Sequence, residues 1–286
     1  MARIVCIHGI AQEYKSRESL LAEWVPSLRG GAGNAKGQIA ETDVDMAFYG
    51  LLFRPSGGKG GPAAEAIATP QIPNFAPGDL DEGLESELLA ELADEATPPE
   101  VLPGAKAGIV SRSTASMLQL VGATPFFGNA AQRVVIWALK QVSAYVGNSV
   151  VRTAAKQALR DRIGADTRVV VAHSLGTLIA YETLSECPEL PVTKLVTLGS
   201  PLGMPALRKR IKPSATGGER PWPAGLSAWT NIADSSDIVA LKKKLSPIYN
   251  DRIEDLLVNN GATMHDAKPY LTAPETGKAI LDGLSA

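Results

Sequence analysis

The segment from Arg168 to Tyr181 constrains the fold of this chain more than any other stretch. It opens with the β-branched run from Val169 to Ala172, which is typical of a buried strand. From Leu175 onward, apolar residues recur at the spacing of one helix face. The segment therefore predicts a strand that turns directly into a helix, with Ser174 on the turn.

The turn itself reads Ala172-His173-Ser174-Leu175-Gly176. A serine on such a turn, with small residues two before and two after it, matches the nucleophile elbow G-x-S-x-G, with Ala172 replacing the first glycine. Small residues are required because the strand and helix backbones nearly touch around the serine. The turn lifts the hydroxyl clear of the sheet, near helix N–H groups that stabilise a developing oxyanion. The less favoured alternative is an ordinary strand–turn–helix in which the serine has no catalytic role.

Composition restricts the class of protein. With 45% hydrophobic and 20% charged residues, the chain has the make-up of an ordinary soluble globular protein. Its 286 residues suit one large α/β domain that can carry an inserted lid, so we predict a single domain over residues 1–286. The net charge of −2 provides no basic field for nucleic acid, and none is expected as a partner.

Cysteine usage and the first residues favour the cytoplasm. The two cysteines, Cys6 and Cys187, give no disulfide framework, and Cys6 lies in an apolar run typical of a reduced core residue. Residues 3–7 already form a strand, without an apolar region followed by a cleavage site. Since no stretch reaches about 18 uninterrupted apolar residues, the sequence predicts no membrane-spanning helix.

His8, Gly9 and Ile10 follow this first strand directly. A glycine there permits close backbone approach, so that the N–H of Ile10 can face a substrate oxygen together with the N–H of Leu175. These two N–H groups are the predicted oxyanion hole. We expect His8 and Gly9 to shape the loop, and we do not expect His8 to transfer protons.

Between the first strand and Ser174, the periodic patterns of a helix and a strand extend to residue 50, and a Gly- and Pro-rich segment follows from residue 54. Residues 17–29 predict a helix and residues 43–50 a second strand, whereas residues 54–80 are rich in Gly and Pro and predict a loop. Residues 79–100 contain nine acidic and no basic residues around a leucine stripe. This predicts an amphipathic helix with a solvated acidic face, and a cation or partner site is the less favoured alternative.

Residues 104–160 are helical in pattern and unusually apolar. We predict that residues 51–140 form an insertion, in which residues 104–140 act as a lid whose apolar side chains make an acyl-binding pocket. Phe126-Phe127-Gly128 predicts a turn between two of these helices. Residues 145–162 are expected to cover the sheet.

Two carboxylates compete for a place beside a histidine. The strand from Leu226 to Ala233 is followed by Asp234 and Asp237. An acid held just past a strand end can fix the tautomer of a histidine and stabilise its imidazolium form. The acid that is not used is expected to cap its own turn.

The histidine is reached by elimination among the three in the chain, His8, His173 and His265. His8 is assigned to its loop, and the side chain of His173 is expected to point away from the neighbouring hydroxyl. This leaves His265 to act on Ser174. A serine, then an acid, then a histidine is the chain order of α/β-hydrolases, and it differs from the two common protease orders.

These motifs together resemble the lipase and esterase members of the α/β-hydrolase superfamily. The similar segments are residues 3–12, 168–202, 227–240 and 253–270. They carry His-Gly, the elbow, Gly-Ser-Pro-Leu, a Trp-x-Asn strand before the acid, and a late histidine. Residues 51–130 match no motif of this family.

The resemblance implies an α/β-hydrolase fold, with a mainly parallel central sheet flanked by helices and a helical insertion before the strand of Ser174. It implies cleavage of a carboxylic ester or thioester through an acyl-enzyme, with Ser174 as nucleophile and His265 as acid–base group. Asp237 is preferred over Asp234 because an acid followed by Ile-Val resembles the Asp-Pro-Val of related lipases. No metal or organic cofactor is required.

An acyltransferase with the same triad and a non-catalytic binding module on the same fold are the alternatives.

The expected partner is a small acyl ester with an apolar acyl group. Contact with a membrane surface through residues 104–150 is the less favoured alternative. Arg112, Arg133 and Lys140 provide little positive charge for an interfacial helix.

Overall fold

The computed structural model describes residues 2–54, 73–97, 112–124, 132–215 and 220–285. Within these residues, six strands form one open sheet in the order β2-β1-β3-β4-β5-β6, and every neighbouring pair is parallel. The strands are β1 (Ile4–Ile7), β2 (Val44–Ala47), β3 (Val169–His173), β4 (Lys194–Leu198), β5 (Ala228–Asp234) and β6 (Ile253–Val258). The predicted α/β fold with a parallel sheet flanked by helices is confirmed at this level.

Helices cover both faces of the sheet. They are α1 (Arg17–Asn34), α2 (Leu84–Glu95), α3 (Thr114–Gly122), α4 (Gln132–Gly147), α5 (Ser149–Arg160), α6 (Leu175–Glu186), α7 (Pro205–Arg208), α8 (Ala267–Thr272) and α9 (Pro274–Ser285). Val5 and Ile7 pack into the core formed with α2 to α7, whereas Ile4 and Cys6 pack against α1, α8 and α9. The alternation along β1 follows from the two-residue period of a strand, and it explains why both sides of this strand are apolar.

The first helix and the second strand differ in length from their predictions. Helix α1 continues to residue 34, beyond the predicted 29, although its last turns contain glycines of low helix propensity. A side-chain carbon added at Gly277 would lie 2.0 Å from the carbonyl oxygen of Gly31, so α1 and α9 touch through their backbones. This packing stabilises the extra turns. Strand β2 covers only residues 44–47 of the predicted 43–50 because a turn of 3₁₀ helix begins at residue 50.

The acidic helix is present as α2. Asp94 and Glu95 are exposed, as a solvated acidic face predicts, whereas Glu85 is buried. Glu87 binds Arg210 at 2.6 Å, next to α7. Glu95 lies 3.8 Å from Lys243, in the loop after β5. The negative charges therefore attach α2 to neighbouring segments, a role that a charge run does not reveal by composition alone.

Helices α3, α4 and α5 confirm the helical pattern predicted within residues 104–160. The buried Ala155 and Leu159 of α5 belong to the same hydrophobic core as Val5 and Ile7 of β1, and α5 packs mainly against α4 and α6. The predicted turn at residues 126–128 and most of the predicted loop at 54–80 lie outside the described residues. Among the described residues, no individual helix has both the length and the hydrophobicity needed to cross a membrane. Helices α4 and α5 have the required length and hydrophobicity only when they are taken together as a pair, and this pair is bent by 89°.

The strand order identifies where a ligand can bind. The chain runs from β1 outward to β2, and then returns to the other side of β1 to form β3 and the remaining strands. The loops that leave β1 and β3 therefore diverge, which opens a crevice at the carboxyl ends of these strands. His8 and Gly9 follow β1 and Ser174 follows β3, so the fold brings these sequence motifs to one edge of the sheet.

Candidate active site

Ser174 lies on a sharp turn between β3 and α6. Its φ of 52° and ψ of −126° belong to a region that residues with a side chain rarely occupy. Such a conformation costs about 1–3 kcal/mol, and packing around the turn maintains it. A carbon added at Gly176 would lie 2.5 Å from the carbonyl oxygen of His8, so α6 touches the end of β1. The turn has the tight geometry that the sequence predicts.

The loop after β1 lies directly against this serine. A carbon added at Gly9 would be 2.7 Å from Cβ of Ser174 and 3.3 Å from its Oγ. The ring of His8 accepts a hydrogen bond at Nε2 from the N–H of Tyr49 at 3.1 Å, so Nδ1 carries the proton and donates to the carbonyl oxygen of Gly9 at 2.7 Å. Burial lowers the pKa of His8 to about 4, and the ring is neutral. Its contacts are those of a group that holds the loop.

The two predicted oxyanion donors border the serine. Leu175 is the first residue of α6, where a backbone N–H has no acceptor within the helix. Ile10 lines both cavities that Ser174 lines. The loop that carries Ile10 is fixed to α4, since the N–H of Ala11 donates to Oε1 of Gln141 at 3.0 Å. Both N–H groups therefore lie close to Ser174, and their role as donors to an oxyanion stays a prediction.

His265 is hydrogen-bonded to Asp237, with 2.6 Å between Nδ1 and Oδ2. Both side chains are buried. Burial raises the pKa of the Asp237 carboxyl, but the charge and hydrogen bond of His265, with hydrogen bonds from Tyr270 and the N–H of Val239, outweigh it and lower the pKa below its ordinary value. Asp237 is therefore a carboxylate. His265 also lines a cleft of about 550 Å³ together with Ser174.

The competing acid, Asp234, has other partners. Its Oδ1 accepts from the N–H of Ser236 at 2.7 Å, and its Oδ2 accepts from the N–H of Asn260 at 2.5 Å. These bonds cap the turn after β5 and fix it to the loop after β6. The structure thus brings Asp237, and not Asp234, to His265.

His173 lines the same cleft as Ser174, and its ring lies against the loop of His265, with the two ring centroids 4.8 Å apart. Burial and the neighbouring His265 lower the pKa of His173 to about 3. Nε2 of this neutral ring lies 2.9 Å from the carbonyl oxygen of His265, to which it can donate a hydrogen bond. His173 therefore positions the loop of His265.

Tyr270 is a site residue that the sequence did not identify. Its hydroxyl donates to Oδ2 of Asp237 at 2.9 Å and accepts from the backbone N–H of Asp234 at 2.7 Å. The residue belongs to α8, which begins just after His265. One hydroxyl thus connects the histidine segment to the acid segment. The only signal in the sequence is that Tyr270 lies on the same late segment as His265.

We expect Tyr270→Phe to destabilise the protein most at neutral pH. The lost hydrogen bond acts on the ionised carboxyl of Asp237 and is worth about 1.5–3 kcal/mol. Because the folded-state pKa of Asp237 lies below its ordinary 3.8, this stabilisation is complete above that value and is lost as the pH falls through the folded pKa. The deficit in unfolding free energy should therefore shrink below about pH 4, as measured by urea unfolding across pH.

Tyr249→Phe is the matched control for this prediction. Tyr249 is also buried, and its hydroxyl donates to the neutral carbonyl oxygen of Leu202 at 2.9 Å. Its loss should cost about 1 kcal/mol at every pH. A deficit for Tyr270→Phe that is equally independent of pH would contradict a specific effect on Asp237.

The cover of the cleft comes from α4. A buried carboxylate, Glu13, accepts hydrogen bonds from Nε1 of Trp137 at 2.8 Å and from Nε2 of Gln141 at 3.3 Å. Since Gln141 also holds the N–H of Ala11, the loop after β1 and α4 form one hydrogen-bonded unit. Helix α4 thus borders the serine.

A larger groove lies elsewhere in the described residues. It measures about 1460 Å³ and runs between α1 and residues 36–44. Neither Ser174 nor His265 lines it. We place the candidate site at the smaller cleft because that cleft contains the hydrogen-bonded histidine and the strained serine.

No known protein-family model matches this chain, and no curated protein matches it either. The functional interpretation therefore depends on the arrangement of side chains around Ser174.

Proposed function

We propose that this chain is a serine hydrolase of the α/β-hydrolase type, which cleaves a carboxylic ester or thioester through an acyl-enzyme. One observation carries the proposal. The buried, hydrogen-bonded Asp237–His265 pair shares a cleft with Ser174, which is held on a strained turn at the start of a helix. Strained backbone, a carboxylate with a lowered pKa and a neighbouring histidine converge at catalytic sites.

The origin of each group along the sheet supports the family assignment. The predicted oxyanion loop follows β1, Ser174 follows β3, Asp237 follows β5 and His265 follows β6. All four therefore come from carboxyl ends of parallel strands, where open α/β sheets bind ligands. The order of serine, acid and histidine is that of α/β-hydrolases.

In the proposed reaction, Oγ of Ser174 attacks the acyl carbonyl carbon while Nε2 of His265 removes the serine proton. Asp237 keeps the proton of His265 on Nδ1 and stabilises the imidazolium that forms. His265 then gives its proton to the leaving oxygen or sulfur as the bond from the acyl carbon breaks. Water attacks the acyl-enzyme by the same route, which releases the acid and restores Ser174.

The negative oxygen of the tetrahedral intermediate is assigned to the N–H groups of Ile10 and Leu175. A fixed donor of this kind contributes about 3 kcal/mol to the stabilisation of the transition state. Ile10 depends on the hydrogen bond that holds Ala11 to Gln141 of α4. In this proposal α2 and α4 form the lid, and the attachment of the loop to α4 makes the donor geometry dependent on that lid.

The proposal is tested by the reaction of the protein with a fluorophosphonate, followed by intact mass measurement. We expect one adduct on the wild-type protein and none on Ser174→Ala. An activated serine is required for this reaction, because an ordinary hydroxyl is a weak nucleophile. If neither protein is labelled, with the cleft opened by mild detergent, the hydrolase proposal fails and a non-catalytic module remains.

A further inference from the structure

Two unequal compartments meet at Ser174. The larger is the cleft of about 550 Å³, and the smaller is a pocket of about 50 Å³. Three residues line both compartments, namely Ile10, Ala138 and Ser174. A substrate bound at the serine therefore extends one part into each compartment.

This inference rests on the proposed function. The position of His265 then determines whether the acyl group or the leaving group of the substrate lies in the larger cleft. The histidine must protonate the leaving group, so the leaving group has to lie on its side of the serine. His265 lines the larger cleft and does not line the smaller pocket. Leu175, which carries a predicted oxyanion donor, lines only the smaller pocket. The acyl group therefore belongs in the smaller pocket.

The smaller pocket is apolar and short. Beyond the shared residues, its wall is formed mainly by aliphatic side chains of α2, α4, α7 and the loop after Asp237, including Leu88, Leu92, Leu139, Val142, Leu207 and Val239. A water molecule needs about 10–15 Å³ of such space, so the pocket accommodates about four atoms of that size. This favours an acyl chain of about four carbons over a fatty chain. The sequence predicts an apolar acyl group, and the size of this pocket indicates that the acyl group is also short.

The larger cleft differs from the pocket in size and in charge. Apolar side chains, among them Trp24, Val134 and Trp137, line most of it. Its rim contains the ion pair of Lys15 with Glu23, at 2.7 Å, and the exposed Asp266 and Lys268. A cleft of this size suits a leaving group that is larger than the acyl part and that carries polar groups able to reach the charged rim.

We propose that the substrate is an ester of a short apolar acid, of about four carbons, with a larger polar alcohol. Hydrolysis breaks the bond between the acyl carbon and the alcohol oxygen, which takes a proton from His265. The acyl carbon bonds to Oγ of Ser174, and water later displaces it as the free acid.

The acyl part is tested with 4-nitrophenyl acetate, butanoate and octanoate, which share one leaving group. For the wild-type protein we expect kcat/KM to be highest for butanoate and at least about tenfold lower for octanoate. Val142 is a half-buried residue of α4 that lines only the acyl pocket. Val142→Ala should move the preference toward octanoate, and Val142→Phe should move it toward acetate. Val146→Ala, one turn further along α4 and outside both compartments, should keep the wild-type order.

The alcohol part is tested with glyceryl monobutanoate and hexyl butanoate. We expect a higher kcat/KM for the glyceryl ester, because its hydroxyls can bind the charged groups at the rim of the cleft. A wild-type preference for octanoate over butanoate, or for the hexyl over the glyceryl ester, would overturn the proposed substrate class. So would an unchanged chain-length order in both Val142 variants, provided that thermal unfolding shows them to be folded.

Labelling with the fluorophosphonate separates this inference from the proposed function. An adduct on Ser174 with the wrong ester preference rejects only the substrate class. The absence of both the adduct and ester turnover rejects the hydrolase and, with it, the substrate class.

Discussion

Ser174→Ala should reduce ester turnover by about 10⁴- to 10⁶-fold without unfolding the protein. In the proposed mechanism the hydroxyl oxygen of this residue forms the acyl-enzyme, and alanine keeps the Cβ that packs against Gly9. The residual rate then comes from substrate binding and the oxyanion donors. Turnover of the butanoyl ester and thermal unfolding, measured on the same preparations, check both parts of this expectation.

Ser174→Gly is the matched variant that isolates the strain of the turn. Both substitutions remove the nucleophile, but only glycine removes the Cβ that is disfavoured at a φ of 52°. Relief of this strain exceeds the entropy that glycine adds to the unfolded chain, so the glycine variant should be more stable than the alanine variant by about 1 kcal/mol. For a chain of this size the difference corresponds to about 2 °C in Tm.

Two results would contradict this interpretation of the serine. Turnover by Ser174→Ala at the wild-type rate would show that the hydroxyl takes no part in the chemistry. A glycine variant less stable than the alanine variant would show that the turn stores no strain. The second result would leave the chemistry intact but would remove one of the reasons for assigning it to Ser174.

Local motifs in this chain were accessible from sequence because their geometry depends on nearby residues. The turn of Ser174 follows from a β-branched strand, two small residues and a helix that begins at once, all within residues 168–186. The closeness of Gly9 to the serine was predictable in the same way, since both follow strands of one parallel sheet. Parallel order along the sheet converts positions in sequence into neighbouring positions in space.

Contacts between distant side chains were not accessible in this way. The Tyr270 hydroxyl joins Asp237 and Asp234 only after β5 and β6 have paired and α8 has packed beside them. The role of His173 depends on a carbonyl group of the loop after β6. Residue type and spacing do not specify which hydroxyl or ring nitrogen meets which acceptor across the fold.

The acidic helix α2 illustrates the same limit for charge. Its composition predicted solvation because exposed carboxylates usually contact water. The partner of Glu87 is Arg210, which follows α7. The two residues are 123 positions apart in the chain, and only the folded structure brings them together. Surface pairs of this kind contribute about 0–1 kcal/mol each, so they influence where α2 lies more than whether the protein folds.

Asp237→Asn should reduce kcat by about 10⁴-fold, whereas Asp234→Asn should change the turnover of folded protein by less than about tenfold. In Asp237→Asn, the amide oxygen can still accept the N–H of Val239, which turns the amide NH₂ toward Nδ1 of His265. Nδ1 must then accept that hydrogen bond, so the ring proton moves to Nε2. A protonated Nε2 cannot remove the proton of Ser174, and the neutral amide cannot stabilise an imidazolium.

Asp234→Asn changes a carboxylate of the same turn without touching His265. Asparagine has one acceptor where Asp234 uses two, for the N–H groups of Ser236 and Asn260. One of these partly buried N–H groups loses its partner, which should lower the unfolding free energy by about 1–3 kcal/mol. Comparing kcat of both variants at a temperature where thermal unfolding shows each to be folded separates stability from chemistry. A larger loss of kcat in Asp234→Asn than in Asp237→Asn would transfer the role of acid to Asp234, against the hydrogen bond that joins Asp237 to His265.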